Sequence, residues 1–303
     1  MKLNALQALV AAIEEGSLLS AARRVGLSQP ALTKMVRELE IELAAPLLVR
    51  TSQGVLPTAQ GQVLFDHALK VARELTQATD RIHQLGGDMR GELNIAAVPV
   101  AVMLLIPEAL RTFGREFPDI RLRVNEELFV GQLQRLRSGQ VDIVVGGIPD
   151  GLATGEFIAE ALVGTTMVVV ARKGSRLAKA RRLEQLAQAR WVYTSAATDS
   201  GYAARLFERH GLPPPPVGAV VNSTLALLSL VGTGDYVGLL PQQIARHPLA
   251  ASYVTEVPLT EDGLPLVVGA IIRSDSMVSP AIRHFIAHLH RAAHHAGRDT
   301  AGA

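Results

Sequence analysis

Two textures of apolar spacing divide the chain. Up to about residue 85, apolar residues recur three and four apart, the period of an amphipathic helix. Leu3, Leu6, Leu9, Val10 and Ile13 form the first such stripe, and Gly16 closes it. Ser17 is a natural N-cap for a short second helix through Ala21, Ala22 and Val25. Gly26 follows in a turn, and the small alanines allow a steep helix crossing, as a helix-turn-helix requires. Ser28 caps a third helix with Pro30 in its first turn, where a missing N–H costs nothing. Its buried stripe is Leu32, Met35, Val36 and Leu39, and Gln29, Ala31, Thr33, Lys34 and Arg37 lie on or beside the other side. Leu47–Arg50 and Val55–Leu56 read as two short strands around a Ser-Gln-Gly turn, a wing beside the helices.

From Thr58 the steps alternate four and three without a break through Leu64, Ala68, Val71, Leu75, Ala78, Ile82 and Leu85. This heptad seam predicts one helix of about 28 residues, roughly 42 Å long at 1.5 Å per residue. Such a stripe is buried either against the chain's own body or, the preferred reading, in a coiled coil between two copies. Gly86–Gly91 then reads as a joint.

Beyond Gly91, short β-branched runs alternate with helical stretches. Strands are expected at Leu93–Val98, Ile120–Asn125, Val141–Gly146, Met167–Ala171, Trp191–Thr194, Val217–Val221, Val237–Leu239 and Leu266–Ile272. Helices are expected at Val102–Phe117, Gly131–Ser138, Gly201–His210, Leu225–Gly232 and Ala281–His295. This succession predicts mostly parallel sheet in two α/β lobes, with a ligand cleft beyond the carboxyl ends of the strands. The candidate lining is Val98, Pro99, Val100 and Ala101, then Gly147 and Ile148, then Thr194, Ser195 and Thr198, then Asn222 and Ser223. Backbone N–H groups and hydroxyls at such points suit a small anion, and ordinary helix capping explains the same residues equally well.

Composition adds limits. Apolar residues are 48% and charged residues 19% of 303, ample for two or three cores. There is no cysteine, hence no disulfide framework, thiolate metal site or cysteine nucleophile. The net charge is only +2, so charge placement matters more than its sum. Residues 1–90 carry 10 basic and 9 acidic side chains, yet Ser17–Arg37 holds Arg23, Arg24, Lys34 and Arg37 and no acid. A Ser-capped, acid-free helix start favours phosphate, and Gln29, Thr33 and Lys34 are placed to reach base edges. A solvated face on a structural helix is the competing reading. No secretory signal and no run near 18 uninterrupted apolar residues is present, so a cytoplasmic protein without a membrane span is expected.

Other signals carry less. His284, His288, Arg291 and His295 share a helical face with no acidic partner, which predicts a solvated tail rather than a metal site. Gly232–Gly238 lacks dinucleotide-fingerprint spacing, and Pro213–Pro216 reads as a stiff connector. No G-x-S-x-G elbow, Walker A loop or H-E-x-x-H appears, and no cofactor or enzymatic activity is expected.

Five runs carry a family resemblance: "GSLLSAARRVGLSQPALTKMVRELEIEL", "APLLVRTSQGVLPTAQG", "GELNIAAVPVAVMLLIPEALRTFGREFPDI", "LRSGQVDIVVGG" and "VNSTLALLSLVGTGDYVGLLP". In this order they resemble a LysR-type transcriptional regulator along nearly the whole chain. The resemblance implies a winged helix-turn-helix at 1–58 and a dimerising linker helix at 59–88. It further implies a two-lobed effector domain at 91–303, like a periplasmic solute-binding protein. Lobe I would be 91–163 and 267–303, lobe II 164–266. It implies a homodimer or homotetramer on promoter DNA, governed by a small molecule, here expected to be an aromatic or organic acid. Gln29, Pro30, Thr33 and Lys34 fall at major-groove positions, and Ser28, Arg37 and Arg50 at phosphate positions. The runs "KLNALQALVAAIEEGSL" and "APLLVRTSQG" look closest to the subgroup regulating aromatic-sulfonate or sugar-binding-protein genes.

The chain departs from the family pattern at Gln53, where a basic residue is usual, at Leu48 for Phe, and at Ala44 for Gly. Val98-Pro99-Val100-Ala101 also lacks the usual Ser or Thr. The rival readings are a solute-binding protein without DNA activity and an α/β enzyme with an N-terminal oligomerisation module. The first would need a signal peptide and leaves residues 1–85 without a use. The second lacks an assembled nucleophile, base and orienter.

Overall fold

The structure, a computed structural model, describes residues 1–52, 54–128, 132–194, 201–274 and 278–301. They form two compact units, Met1–Ile82 and His83–Ala303.

In the first unit, α1 (Leu3–Glu15) buries Ala8, Leu9 and Ala12 and stops at Gly16, whose φ of 62° ends the helical path. Helix α2 (Leu18–Arg24) starts where Ser17 Oγ accepts the Ser20 N–H at 3.4 Å. Helix α3 (Gln29–Glu42) turns Leu32, Val36 and Leu39 inward, against Leu9, Leu47 and Val55. Ala44, beyond the end of α3, holds φ 49°, a left-handed conformation that strains any side chain. The glycine expected at this position by family resemblance has a physical reason.

The wing is an antiparallel pair, β1 (Leu48–Thr51) and β2 (Gly54–Pro57), with Leu48 opposite Pro57 and Thr51 opposite Gly54. It lies slightly displaced from the strands expected from sequence, because Leu47 is buried in the core and precedes the pairing. The Gly16 carbonyl accepts the Val55 N–H at 2.8 Å and ties the wing to the end of α1. Helix α4 (Ala59–Leu85) then runs for 27 residues. Thr58 sets its start: its hydroxyl donates to the Pro46 carbonyl at 2.6 Å and accepts the Gly61 N–H at 2.9 Å. Gly61 presses so close to Leu47 that a Cβ there would overlap the Leu47 carbonyl oxygen.

In the second unit the order is β3 (Gly91–Ala97), α5 (Pro99–Leu104), α6 (Ile106–Glu116), β4 (Ile120–Glu126), α7 (Gln132–Arg137), β5 (Ile143–Gly147), β6 (Phe157–Arg172) and β7 (Arg190–Tyr193). It continues with α8 (Tyr202–Arg209), β8 (Val217–Val220), α9 (Thr224–Thr233), β9 (Tyr236–Pro241), α10 (Gln242–Arg246), α11 (Pro248–Ala251), β10 (Val254–Glu256), β11 (Leu264–Arg273) and α12 (Pro280–Ala301). The helix expected over Val102–Phe117 is two helices. Pro107 disfavours helical backbone at the residue before it and lacks an N–H, so α6 restarts there. Strand β6 is 16 residues, far longer than the Met167–Ala171 expected, because its first half pairs with β11 rather than following a period-2 pattern of its own.

The sheet order is β4-β3-β5-β11-β6-β9-β7-β8, with β10 beside β6. Strands β4, β3 and β5 are parallel, as are β9, β7 and β8, and β6 and β11 run antiparallel between the two sets. Two large core clusters pack on the sheet, and the larger reaches from the first set to Val192, Leu227, Val231 and Leu240 of the second. One includes Phe113 against Phe285 at 5.3 Å, edge to face. The other centres on Trp191 against Phe207 at 5.2 Å. The solvated tail expected for the histidines fails at His288. This side chain is buried, with Nδ1 2.7 Å from Thr112 Oγ1 and Nε2 3.2 Å from Glu116 Oε2. Burial holds its pKa below the usual value, helped by Arg291.

Two substitutions test the first unit with opposite signs. Gly61→Ala is expected to cost about 1–3 kcal/mol, the range of an overpacked site, because the clash is with backbone. Ala44→Gly is expected to stabilise by somewhat under about 1 kcal/mol. Relief of the left-handed strain, about 1–2 kcal/mol, exceeds the added freedom of the unfolded glycine, about 0.4–1 kcal/mol. Thermal and urea unfolding of the full chain read both.

Candidate nucleic-acid interface and ligand cleft

Ser28 begins α3 by accepting the Ala31 N–H on its Oγ at 3.3 Å, and no acid lies in the first turn. The helix dipole therefore faces outward unopposed at this end. Because Leu32, Val36 and Leu39 face the core, Gln29, Pro30, Thr33, Lys34, Arg37, Glu38 and Ile41 line one open groove along the outer face. Ser28, Gln29, Pro30, Lys34 and Arg37 are exposed and Thr33 half-buried. Lys34 Nζ stands 3.9 Å from Glu38 Oε1. A surface pair of this kind is worth only about 0.3–0.5 kcal/mol and is readily exchanged for a phosphate.

Arg50 projects from β1, exposed and without an ion pair among the described residues. The wing that carries it is pinned to α3 by Glu40, whose carboxylate accepts the Leu47 and Leu48 N–H groups at 2.8 and 3.3 Å. Sequence reasoning missed Glu40, since nothing in its spacing shows that it reaches forward seven residues. Arg24 is engaged with Glu14 at 2.7 Å and Glu15 at 3.2 Å. Gln53 lies outside the described residues.

On α4 the seam residues divide. Leu64 is half-buried against the core of the first unit and Ala68 is buried. Val71, Leu75, Ala78, Ile82 and Leu85 are exposed, the last two by 70% and 63%. Four large apolar side chains in one row thus stand uncovered in the single chain.

The cleft follows from strand register. Gly147, at the carboxyl end of β5, pairs with Val268, which pairs with Val163 on β6. Pro241, at the carboxyl end of β9, pairs with Met167 on the same strand. Both parallel sets therefore aim their carboxyl ends at one short stretch of β6 and β11. There the Thr165 hydroxyl, buried, donates to the Gln243 side-chain oxygen, and Thr165 is paired with Leu266. Leu266 in turn covers Gly147: a Cβ on Gly147 would lie 2.8 Å from Leu266 Cδ1 and 3.6 Å from the Tyr202 hydroxyl. Arg205 and Asp150 meet at 3.1 Å across the same region.

The residues expected to line this cleft are brought to it unevenly. Val98, Val100 and Ala101 are buried in the core of the first strand set, so the helix start they form offers backbone rather than side chain. Pro99 has no N–H, and the Ala101 and Val102 amides both turn back to the Val98 carbonyl. Gly147 and Ile148 sit at the end of β5, with the Ile148 side chain over Gly269. Thr194 directly follows β7, half-buried, while Ser195 and Thr198 lie outside the described residues. Asn222 is exposed, and Ser223 caps α9 through the Ala226 N–H at 3.5 Å. Sequence reasoning missed Thr165, Tyr202, Gln243 and Leu266, which the two crossing strands and two helix starts assemble from distant positions.

Two family models match the chain: "Bacterial regulatory helix-turn-helix protein, lysR family" over residues 3–62 and "LysR substrate binding domain" over residues 86–294. Among curated relatives, HTH-type transcriptional regulator GalR of Pseudomonas putida is 29% identical over 280 residues, 91% of this chain and 70% of that protein. HTH-type transcriptional regulator GbpR of Azospirillum brasilense is 26% identical over 296 residues, 96% and 86% of the two chains. Full-length CbnR crystallised with its target DNA has a TM-score of 0.71 at 20% identity, covering 96% of this chain and all of that one, a likeness of fold. The probable transcriptional regulator PA0477 of Pseudomonas aeruginosa gives 0.66 at 26% identity, covering 95% and 96%. No described helix is long and apolar enough to cross a membrane. With a helix-turn-helix in front and a two-set α/β sheet behind, both under matching models, the chain belongs to the LysR family of bacterial regulators.

Proposed function

We propose that this chain is a non-enzymatic, cytoplasmic transcriptional regulator that binds promoter DNA as an oligomer and changes its grip when a small molecule enters the cleft. The observation that carries the reading is the outer face of α3. A Ser-capped, acid-free helix start, Gln29, Thr33, Lys34 and Arg37 on one open strip, and Arg50 on a pinned wing beside it match what major-groove reading needs. Gln29, Pro30, Thr33 and Lys34 face base edges in this reading, and Ser28, Arg37 and Arg50 hold phosphates. Residues 1–58 form the DNA-binding module and 59–88 the dimerising helix. The row of Val71, Leu75, Ile82 and Leu85 is covered by the same row of a second copy. Residues 91–303 form the effector domain. Its lobes, 91–163 with 267–303 and 164–266, are joined by β6 and β11, whose pairing shifts register at Val268 and Gly269. Val98–Ala101, Gly147, Ile148, Thr194, Ser195, Thr198, Asn222 and Ser223 stand as the cleft's candidate contacts. An aromatic or organic acid is the expected effector class.

Gel shifts on the chain's own upstream intergenic fragment test the α3 assignment. Gln29→Ala is expected to weaken specific binding by about 1–3 kcal/mol while leaving nonspecific binding nearly unchanged. Lys34→Ala is expected to weaken specific binding as well. Arg50→Ala, a phosphate contact, should weaken all sequences alike and lower the salt dependence by about one ion. Wild-type affinity in all three variants contradicts these roles. Leu75→Lys places a charge in the seam and is expected to yield monomers by light scattering, whereas the parent mass would contradict the coiled coil.

A further inference from the structure

Tyr202 begins α8 in the second strand set, yet its phenol reaches the first, with Oη 3.6 Å from where a Gly147 Cβ would stand. Two buried aromatic heads of this set are satisfied: the Tyr193 hydroxyl donates to the Pro215 carbonyl and the Trp191 Nε1–H to the Leu186 carbonyl, each at 3.0 Å. The Tyr202 hydroxyl, half-buried, has no hydrogen-bond partner among the described residues. Burial raises its pKa above the usual phenol value, so it stays a donor at neutral pH. A phenol in such a place normally finds a partner.

The ring is also held. Arg205 lies 5.9 Å from its centroid, and Arg205 pairs with Asp150 beyond β5 at 3.1 Å. A continuous line of contacts runs from Tyr202 by Gly147 and Leu266 to Thr165 and Gln243. Because the Thr165 hydroxyl donates to the Gln243 oxygen, the Gln243 amide nitrogen is turned away from it, with no partner among the described residues. The convergence of strand ends therefore presents two neutral donors. Among the described residues there, Arg205 is in an exposed pair with Asp150.

We propose that the Tyr202 hydroxyl, aided by the Gln243 amide, donates to an oxygen acceptor of the effector and sets its specificity. The acceptor is a carboxylate or a carbonyl oxygen, met by these two neutral donors. This inference rests on the effector-cleft reading above. Neutral donors discriminate by hydrogen bonding more than by charge, so a carbonyl analogue competes with the acid.

Tyr202→Phe removes only the oxygen and is the direct test. Full-length wild type and variant are titrated calorimetrically with benzoate, 4-hydroxybenzoate, benzenesulfonate and benzamide, with the unliganded Tm and operator affinity measured alongside. The expected result is that at least one aromatic ligand binds the wild type and loses about tenfold in affinity in Tyr202→Phe, with unliganded Tm and operator affinity unchanged. Benzamide is expected within about tenfold of benzoate. Gln243→Leu provides a second variant with the same expected loss should Tyr202→Phe lower the unliganded Tm. Equal binding by wild type and both variants overturns the Tyr202 assignment and leaves the cleft standing. No binding by the wild type overturns this ligand chemistry, while intact operator binding leaves the regulator assignment untouched.

Discussion

Everything the first unit does follows from how α3 is seated. Leu32, Val36 and Leu39 fix one side of the helix against Leu9, Leu47 and Val55, and a helix so fixed has no freedom to rotate. Each leucine of this kind typically contributes a few kcal/mol through burial and packing. Rotation by one residue would bury Thr33 or Lys34 at a cost the small core could not offset. The same seating points the capped N-terminus outward and leaves Gln29, Thr33, Lys34 and Arg37 in one row. Glu40 then holds the wing through the Leu47 and Leu48 N–H groups, so the outer face of α3 and the wing are tied together.

The second unit solves a different problem with the same economy. Two parallel strand sets are joined by β6 and β11, and the pairing of Gly147 with Val268 and of Pro241 with Met167 makes their carboxyl ends converge. Ends of parallel strands leave helix starts, loops and unpaired donors in one place, which is where ligands of such sheets bind. Among the described residues, an ion pair and a side-chain hydrogen bond lie at the convergence. Arg205 with Asp150 is an exposed pair of small energetic weight that links the two sets, and Thr165 with Gln243 is a part-buried bond between β6 and α10.

Much of this was legible in the chain. Capping residues and helical stripes located α1, α2 and α3 because each rule acts within a few residues, and the heptad steps located α4 within a residue or two of its ends. What failed was non-local. The first half of β6 has no alternation because it is paired on long stretches by β11, more than 90 residues away in sequence. The break between α5 and α6 was missed because Pro107 lay inside a strongly apolar run. His288 is buried by α6, which no count along α12 could reveal. The cleft residues fared worst. Val100 and Ala101 sit at the expected turn but face the core, while Tyr202, Gln243 and Leu266 are assembled only by tertiary register. Ala44 is the opposite case, an oddity against the family pattern that the backbone explains directly.

The account stands on paired, sequence-reading contact with duplex DNA. Hydroxyl-radical footprinting of the full chain on its own upstream fragment, across a salt series, examines that most directly. The expected result is two protected patches on one face of the duplex, separated by about 10 base pairs or a multiple, with affinity falling steeply as salt rises. Uniform cleavage at low salt, with no saturable protection, would contradict it.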